Sequence, residues 1–158
     1  MLKIMKERWD LNKNKLEHEL RTRKGLNNCD YHDLVTLTFE TIFNSSAEDD
    51  YGKKLDLNSL SRIDDGDYQG TLLFVIPFEV YQPCEGEYIM TYIGYGSCSG
   101  CDALQAAQEW TENDLLEDWQ VKDFMSICKS IICNTVKPYN YGWREDDDFN
   151  PVEETVVG

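Results

Sequence analysis

The chain has 158 residues, 41% of them hydrophobic and 12% aromatic, which supplies apolar surface for one ordinary core without disulfide or metal staples. Fifteen basic residues against thirty acidic ones leave a net charge of −15, a field that repels nucleic-acid phosphates and anionic lipid and attracts basic protein surfaces. The longest apolar run, Thr71–Pro77, is strand-sized, and the charged opening MLKIMKERWDLNK lacks the apolar centre of a signal peptide, so a cytoplasmic protein is expected.

The charge is unevenly placed. Residues 1–27 carry eight Lys/Arg and four Asp/Glu, net +4, and the remainder carries seven against twenty-six, net −19. Within the positive segment, Met5, Trp9, Leu16 and Leu20 recur at helical spacing and predict a first helix from Met1 to about Lys24, stopped by Gly25 and Asn27–Asn28. A second helix opens at Asp30, whose carboxylate accepts from free N–H groups of the first turn, while Asp33 complements the helix dipole. Its apolar face is Leu34, Val35, Leu37, Phe39, Ile42 and Phe43, and Asn44–Ser45–Ser46 closes it.

Beyond the polar loop SAEDDYGKK the pattern changes. Leu57, Leu60 and Ile63 lead into DDGDYQ, then GTLLFVIPF, a turn through Pro83 to Gly86, and EYIMTYIGY. Aromatic and β-branched residues between turn signals predict an antiparallel meander of two or three strands. TLLFVI is apolar at consecutive positions and reads as a central strand covered on both faces, with Pro77 at its end because proline cannot donate to a ladder.

After the Gly/Ser turn SCSGC, Asp102 caps a short helix over Ala103–Trp110. Thr111 and Asp114 form a capping-box pattern for a longer helix whose buried stripe is Leu115, Trp119, Phe124, Ile127, Cys128, Ile131 and Ile132, ending near Val136 before Pro138. The expected fold class is α+β, a small antiparallel sheet of two to three strands flanked by N-terminal and C-terminal helices. Residues 1–143 read as one domain and 144–158 as an acidic C-terminal tail, with Tyr139, Tyr141 and Trp143 available to dock its start.

Three features carry candidate chemistry. Cys98 and Cys101, in CSGC, have the spacing that points two thiolates at one zinc ion. Cys29 and His32, a CxxH, complete a Cys3His set if the start of the second helix lies beside the end of the last strand. The same CxxC at a strand-to-helix turn also admits thiol–disulfide chemistry, but the thioredoxin arrangement needs a parallel βαβ unit. Packing of small thiols around Gly94, Gly96 and Gly100 is the simplest reading of the turn.

The second feature is the loop holding Asp64, Asp65, Asp67, Tyr68 and Gln69, which reads first as a hairpin turn. If it shares one end of the sheet with the CSGC turn, these residues and Tyr95 frame a small-ligand pocket, for a nucleotide or a metal ion. The third is an acidic surface, Glu109, Glu112, Asp114, Glu117 and Asp118 with Glu145, Asp146, Asp147 and Asp148. Such runs usually only solvate a surface. Presented at intervals, they also mimic a nucleic-acid backbone and occupy the basic groove of a protein partner. No cofactor is required by any complete motif.

The blocks DYQGTLLFVIP and YGSCSGCD resemble a group of small uncharacterised tailed-bacteriophage proteins, with similarity running from WDLNKNK to KPYNYGW. The resemblance implies a setting rather than a catalytic residue. Small acidic phage accessory proteins commonly bind and disable a host protein, defence nucleases among them, as anti-CRISPR proteins do. The expected function is therefore non-enzymatic: an inhibitor that engages a basic host-protein surface through its anionic face, without direct nucleic-acid or membrane binding. A zinc- or nucleotide-binding protein is the alternative, and a thiol redox protein the third reading.

Overall fold

The computed structural model describes residues 2–49, 54–66, 70–79, 87–97, 100 and 102–137. The first helix, α1 (Lys3–Thr22), buries Ile4, Met5, Trp9, Leu16 and Leu20 as its spacing dictates. Two polar residues, Arg8 and Asn12, interrupt that stripe, and both are buried. Arg8 Nη1 donates to the carbonyl of Phe43 at 2.6 Å, and Asn12 Nδ2 donates to the carbonyl of Ile42 at 2.9 Å. They satisfy carbonyls that the end of the second helix leaves open. The Arg8 guanidinium also lies 4.7 Å over the Phe43 ring.

Gly25 takes the left-handed conformation, φ 85°, and turns the chain into a short 3-10 turn, Leu26–Asn28. The second helix, α2 (Tyr31–Ile42), then starts on a reciprocal cap. Asp30 Oδ1 accepts from the Asp33 N–H at 2.8 Å, and Asp33 Oδ2 accepts from the Asp30 N–H at 3.2 Å. Leu34, Val35, Leu37, Phe39, Ile42 and Phe43 are all buried, as expected.

Three strands, β1 (Ser61–Asp64), β2 (Gly70–Pro77) and β3 (Tyr88–Tyr95), pair antiparallel in the order β1-β2-β3. This is the expected meander, with Pro77 closing β2. The expectation that β2 is covered on both faces is not met. Leu72, Phe74 and Ile76 are buried, whereas Leu73 and Val75 are only half-buried. The helical core lies on one side of the sheet: Thr91 Oγ1, on the buried face of β3, donates to the carbonyl of Ile131. Leu73 and Val75 belong to the opposite face, with Tyr92, Met90 and Ile63 as their cross-strand partners. Gly94, read as part of the turn, pairs with Thr71 inside β3.

A short helix, α3 (Ala103–Ala107), and a long one, α4 (Asp118–Cys133), follow. Helix α3 stops before Trp110, and the Thr111–Asp114 cap is not used. Asp114 has φ 57°, a left-handed value outside any helix, and the Thr111 hydroxyl donates to the Leu115 carbonyl. Helix α4 begins at Glu117 instead, whose N–H donates to Gln120 Oε1 at 2.9 Å. That start rotates the stripe. Leu116, Gln120, Val121, Phe124, Ile127, Cys128, Ile131 and Ile132 are buried, Leu115 is half-buried, and Trp119 is exposed. Helix α1 packs on α2 and α4, and α4 on β3, around Leu16, Leu34, Phe39, Phe74 and Phe124. Each such fully buried side chain contributes about 1.5–3 kcal/mol relative to exposure.

Candidate functional site

The start of α2, the end of β3 and the start of α3 meet at one end of the sheet. Asp102, buried, accepts from the Tyr31 hydroxyl at 2.6 Å, from the Gly96 N–H at 3.0 Å, and from the Leu104 and Gln105 N–H groups at 3.0 and 3.1 Å. Its carboxylate thus caps α3 and ties that helix to both other elements. The Tyr31 hydroxyl in turn accepts from the Leu104 N–H, and burial together with Asp102 holds its pKa well above the ordinary phenol range.

Tyr95 joins the β1–β2 hairpin to this end. It pairs with Gly70 across the sheet, and its hydroxyl lies 2.6 Å from Asp64 Oδ1 and 2.7 Å from the Gly66 carbonyl. The Tyr95 hydroxyl and the Gly66 N–H hold the Asp64 carboxyl below its usual range. Asp65 accepts from the Thr71 N–H and fixes the strand exit. Asp64 and Tyr95 line a hollow of about 280 Å³ with Cys29, Asp30, Tyr31, Arg62, Asp102 and Gln105. Of the residues read as framing a ligand pocket, Asp64 and Tyr95 line this hollow, and Asp65 holds the start of β2 through Thr71. Asp67, Tyr68 and Gln69 lie outside the described residues.

Of the Cys3His set, Cys29 lines the same hollow as Gly96 and Asp102, which flank the CSGC turn, and Cys98 and Cys101 lie outside the described residues. His32 faces a second hollow of about 380 Å³ between the end of α1 and α2, which Cys29 also lines. Desolvation, aided by Asp33 and Asp30, pushes the Cys29 thiol up to about 12, and its sulfur accepts from Gln108 Nε2 at 3.8 Å. A thiol in that state is a poor nucleophile. His32 also sits within ligand-sharing distance of Asp30 and Asp33, but those carboxylates are engaged in the α2 cap. For the redox reading, the described strands are all antiparallel, so the parallel βαβ unit is missing among them.

The acidic residues form the third element. Glu109, Glu112, Asp114, Glu117 and Asp118 are all exposed; the first three lie on an irregular loop, Glu117 is the N-cap of α4 and Asp118 its first residue. Gln120, fully buried, holds that loop: its Nε2 donates to Asn27 Oδ1 at 2.7 Å and to the Ala107 carbonyl at 3.1 Å. The Glu109 N–H donates to the same Asn27 oxygen. Trp110 stands 82% exposed near the start of the loop. Trp110, Glu109, Glu112 and Asp114 rim a hollow of about 390 Å³ against Asn27 and Asn28. Asp118 pairs with Arg21, whereas Glu109, Glu112 and Asp114 have no ion-pair partner among the described residues. Glu145, Asp146, Asp147 and Asp148 lie outside the described residues.

Neither Trp110 nor Gln120 has a local signal in the sequence: Trp110 ends the stretch that reads as a helix, and a buried glutamine has no periodic signature. Comparisons with protein-family models, curated proteins and solved structures find no match for this chain. No helix among the described residues is long and apolar enough to cross a membrane.

Proposed function

We propose that the chain is a non-enzymatic binding protein that engages a basic surface of a partner protein through the loop 109–118. One observation carries the reading: Glu109, Glu112 and Asp114, without an ion-pair partner among the described residues, line one hollow with an exposed Trp110 on a loop that Gln120 holds through Asn27 and Ala107. Anchoring matters because a preorganised loop loses less entropy on binding. An exposed indole beside carboxylates suits arginine, which stacks on the ring while its guanidinium meets the acids. The hollow shares Asn28 and Gln108 with the two others, which are lined by charges of both signs, Arg23, Lys24 and Arg62 beside Asp30, Asp33 and Asp64. The purely acidic rim is that of Glu109, Glu112 and Asp114.

Taken with the resemblance to phage proteins, the partner is a host protein that handles nucleic acid or acts in defence, and the setting is the cytoplasm of an infected bacterium. Capture from a bacterial lysate with the wild-type chain and with a Glu109→Gln/Glu112→Gln/Asp114→Asn variant tests this. A basic protein retained by the first and lost from the second supports the reading. Equal retention by both rules it out.

A second reading rests on the convergence of Cys29 with the residues flanking the CSGC turn. There, a zinc ion held by Cys29, His32, Cys98 and Cys101 is the alternative. Elemental analysis of protein purified without chelators decides it: stoichiometric zinc, lost in Cys98→Ser, supports the metal, and zinc-free folded protein removes it.

A further inference from the structure

Strand β1 forms one edge of the sheet, and all four of its residues are exposed. Its backbone phase follows from the turn. Asp65 stands opposite Thr71, next after the Asp64–Leu72 pair, and its N–H donates to the Thr71 carbonyl at 3.3 Å. Backbone groups alternate in direction along a strand, so those of Ser61 and Ile63 also face β2, and the N–H and C=O groups of Arg62 and Asp64 face outward. Among the described residues nothing pairs with those outward groups, and the Arg62 side chain has no salt bridge. An open strand edge is a template for another strand.

The residues of this edge select their own partner. Two copies of β1 bond antiparallel only where outward-facing residues stand opposite each other, so the two-fold axis passes through a residue rather than between two. An axis at Arg62 sets arginine against arginine, and one at Asp64 sets aspartate against aspartate. An axis at Ile63 sets Arg62 against Asp64 of the other copy, twice over, with Ile63 beside its own counterpart. Opposite charges directly across a pair stabilise it, and like charges destabilise it. Arg62 and Asp64 stand across from Phe74 and Leu72, on the core side of the sheet, while Ile63 stands on the other side with Leu73 and Tyr92. About the Ile63 axis, the row Tyr92–Leu73–Ile63 therefore runs on into its copy.

We propose that a second copy of this chain pairs with it along β1, antiparallel about Ile63, joining two three-stranded sheets into one. Arg62 and Asp64 exchange backbone hydrogen bonds with Asp64 and Arg62 of the other copy, and their side chains form two symmetric ion pairs. Ile63, 53% exposed in the single chain, packs against its counterpart. None of these residues belongs to the loop 109–118, and each assembled pair presents that loop twice.

Sedimentation of the full-length chain at rising concentration, with reductant present, should show a reversible monomer–dimer equilibrium. Arg62→Glu should raise its dissociation constant about tenfold or more, because the two-fold axis turns both ion pairs into repulsions. Arg62→Lys, which keeps the charge, should change it by less than about threefold. Under mild oxidation, Ile63→Cys should form a disulfide between the two copies at position 63, because a non-hydrogen-bonded antiparallel pair brings Cα atoms to about 4.5 Å. Leu11→Cys, on the exposed side of α1, should form no link at its own position. Peptide mapping beside the wild-type chain separates these links from those of the native cysteines. A chain that stays monomeric and gives no link at position 63 overturns the proposal. So does a dimer that Arg62→Glu leaves intact and that Ile63→Cys does not link.

Discussion

Tyr31 and Asp102, 71 positions apart, are joined by a 2.6 Å hydrogen bond that ties the first turn of α2 to the cap of α3. The pair organises the end of the sheet and lines the hollow there with Asp64 and Tyr95. Because Asp102 also receives the Gly96, Leu104 and Gln105 N–H groups, its loss orphans several donors at once, whereas loss of the Tyr31 hydroxyl removes one. Tyr31→Phe should cost about 1–2 kcal/mol and Asp102→Ala about 2–4 kcal/mol in urea unfolding. Chemical denaturation of both single variants and the double variant checks this, with non-additivity as the signature of coupling.

The buried thiols make a prediction about alkali. Desolvation raises Cys29 and Cys128 from 9.0 to about 12, and Tyr31 is also raised from 10.0. A group that binds its proton more tightly when folded contributes stability fully below its unfolded pKa and loses it as pH rises toward the folded value. Stability should therefore hold from neutral pH to about 9 and fall above it, with the thiols leading and Tyr31 following. Urea midpoints measured across that range test the order. At pH 8, iodoacetamide should label Cys29 and Cys128 about a thousandfold more slowly than an unperturbed cysteine.

Gly70 faces the β1–β2 turn at close range. A Cβ there would stand 2.7 Å from Asp65 Oδ1 and 2.9 Å from the Gly66 Cα. Because Asp65 Oδ1 holds the Thr71 N–H, the clash cannot be relieved without breaking the turn. Gly70→Ala should destabilise by about 1–3 kcal/mol, and thermal melts of this variant beside Gly94→Ala, where a Cβ meets nothing closer than the Gly70 carbonyl at 4.0 Å, separate crowding from loss of flexibility.

Gln120 links stability to the acidic loop. Truncation in Gln120→Ala leaves the Ala107 carbonyl and Asn27 Oδ1 each short of one donor, for about 2 kcal/mol. Hydrogen exchange should show the Glu109 N–H, which shares Asn27, losing protection in that variant. Unchanged protection would mean the loop is held by other contacts.

The helices and the meander were legible because periodicity and turn residues act locally. The Asp30–Asp33 cap, the buried face of α2 and Pro77 at the end of β2 all follow from neighbours in sequence. What escaped depended on long-range partners. Arg8 and Asn12 look like solvent residues until the end of α2 supplies their acceptors. Thr111–Asp114 has the letters of a capping box, yet the chain prefers Glu117–Gln120, because that start seats Gln120 against Asn27 and Ala107. TLLFVI looked buried on both sides because composition cannot tell which side of a sheet the helices occupy. At the candidate sites, the hollow that Cys29 shares with Tyr95 and Gly96 is made by tertiary packing, and nothing local in the sequence marks Trp110 as exposed.

The central claim is that cationic groups of a partner meet the loop 109–118. Its most direct test is equilibrium binding of the captured partner to the wild-type chain and to the Glu109→Gln/Glu112→Gln/Asp114→Asn variant, from low to high salt. The account predicts that wild-type affinity falls by about tenfold or more between roughly 50 mM and 500 mM salt, and that the variant binds weakly throughout with little salt dependence. Equal affinities for both chains, indifferent to ionic strength, would contradict it.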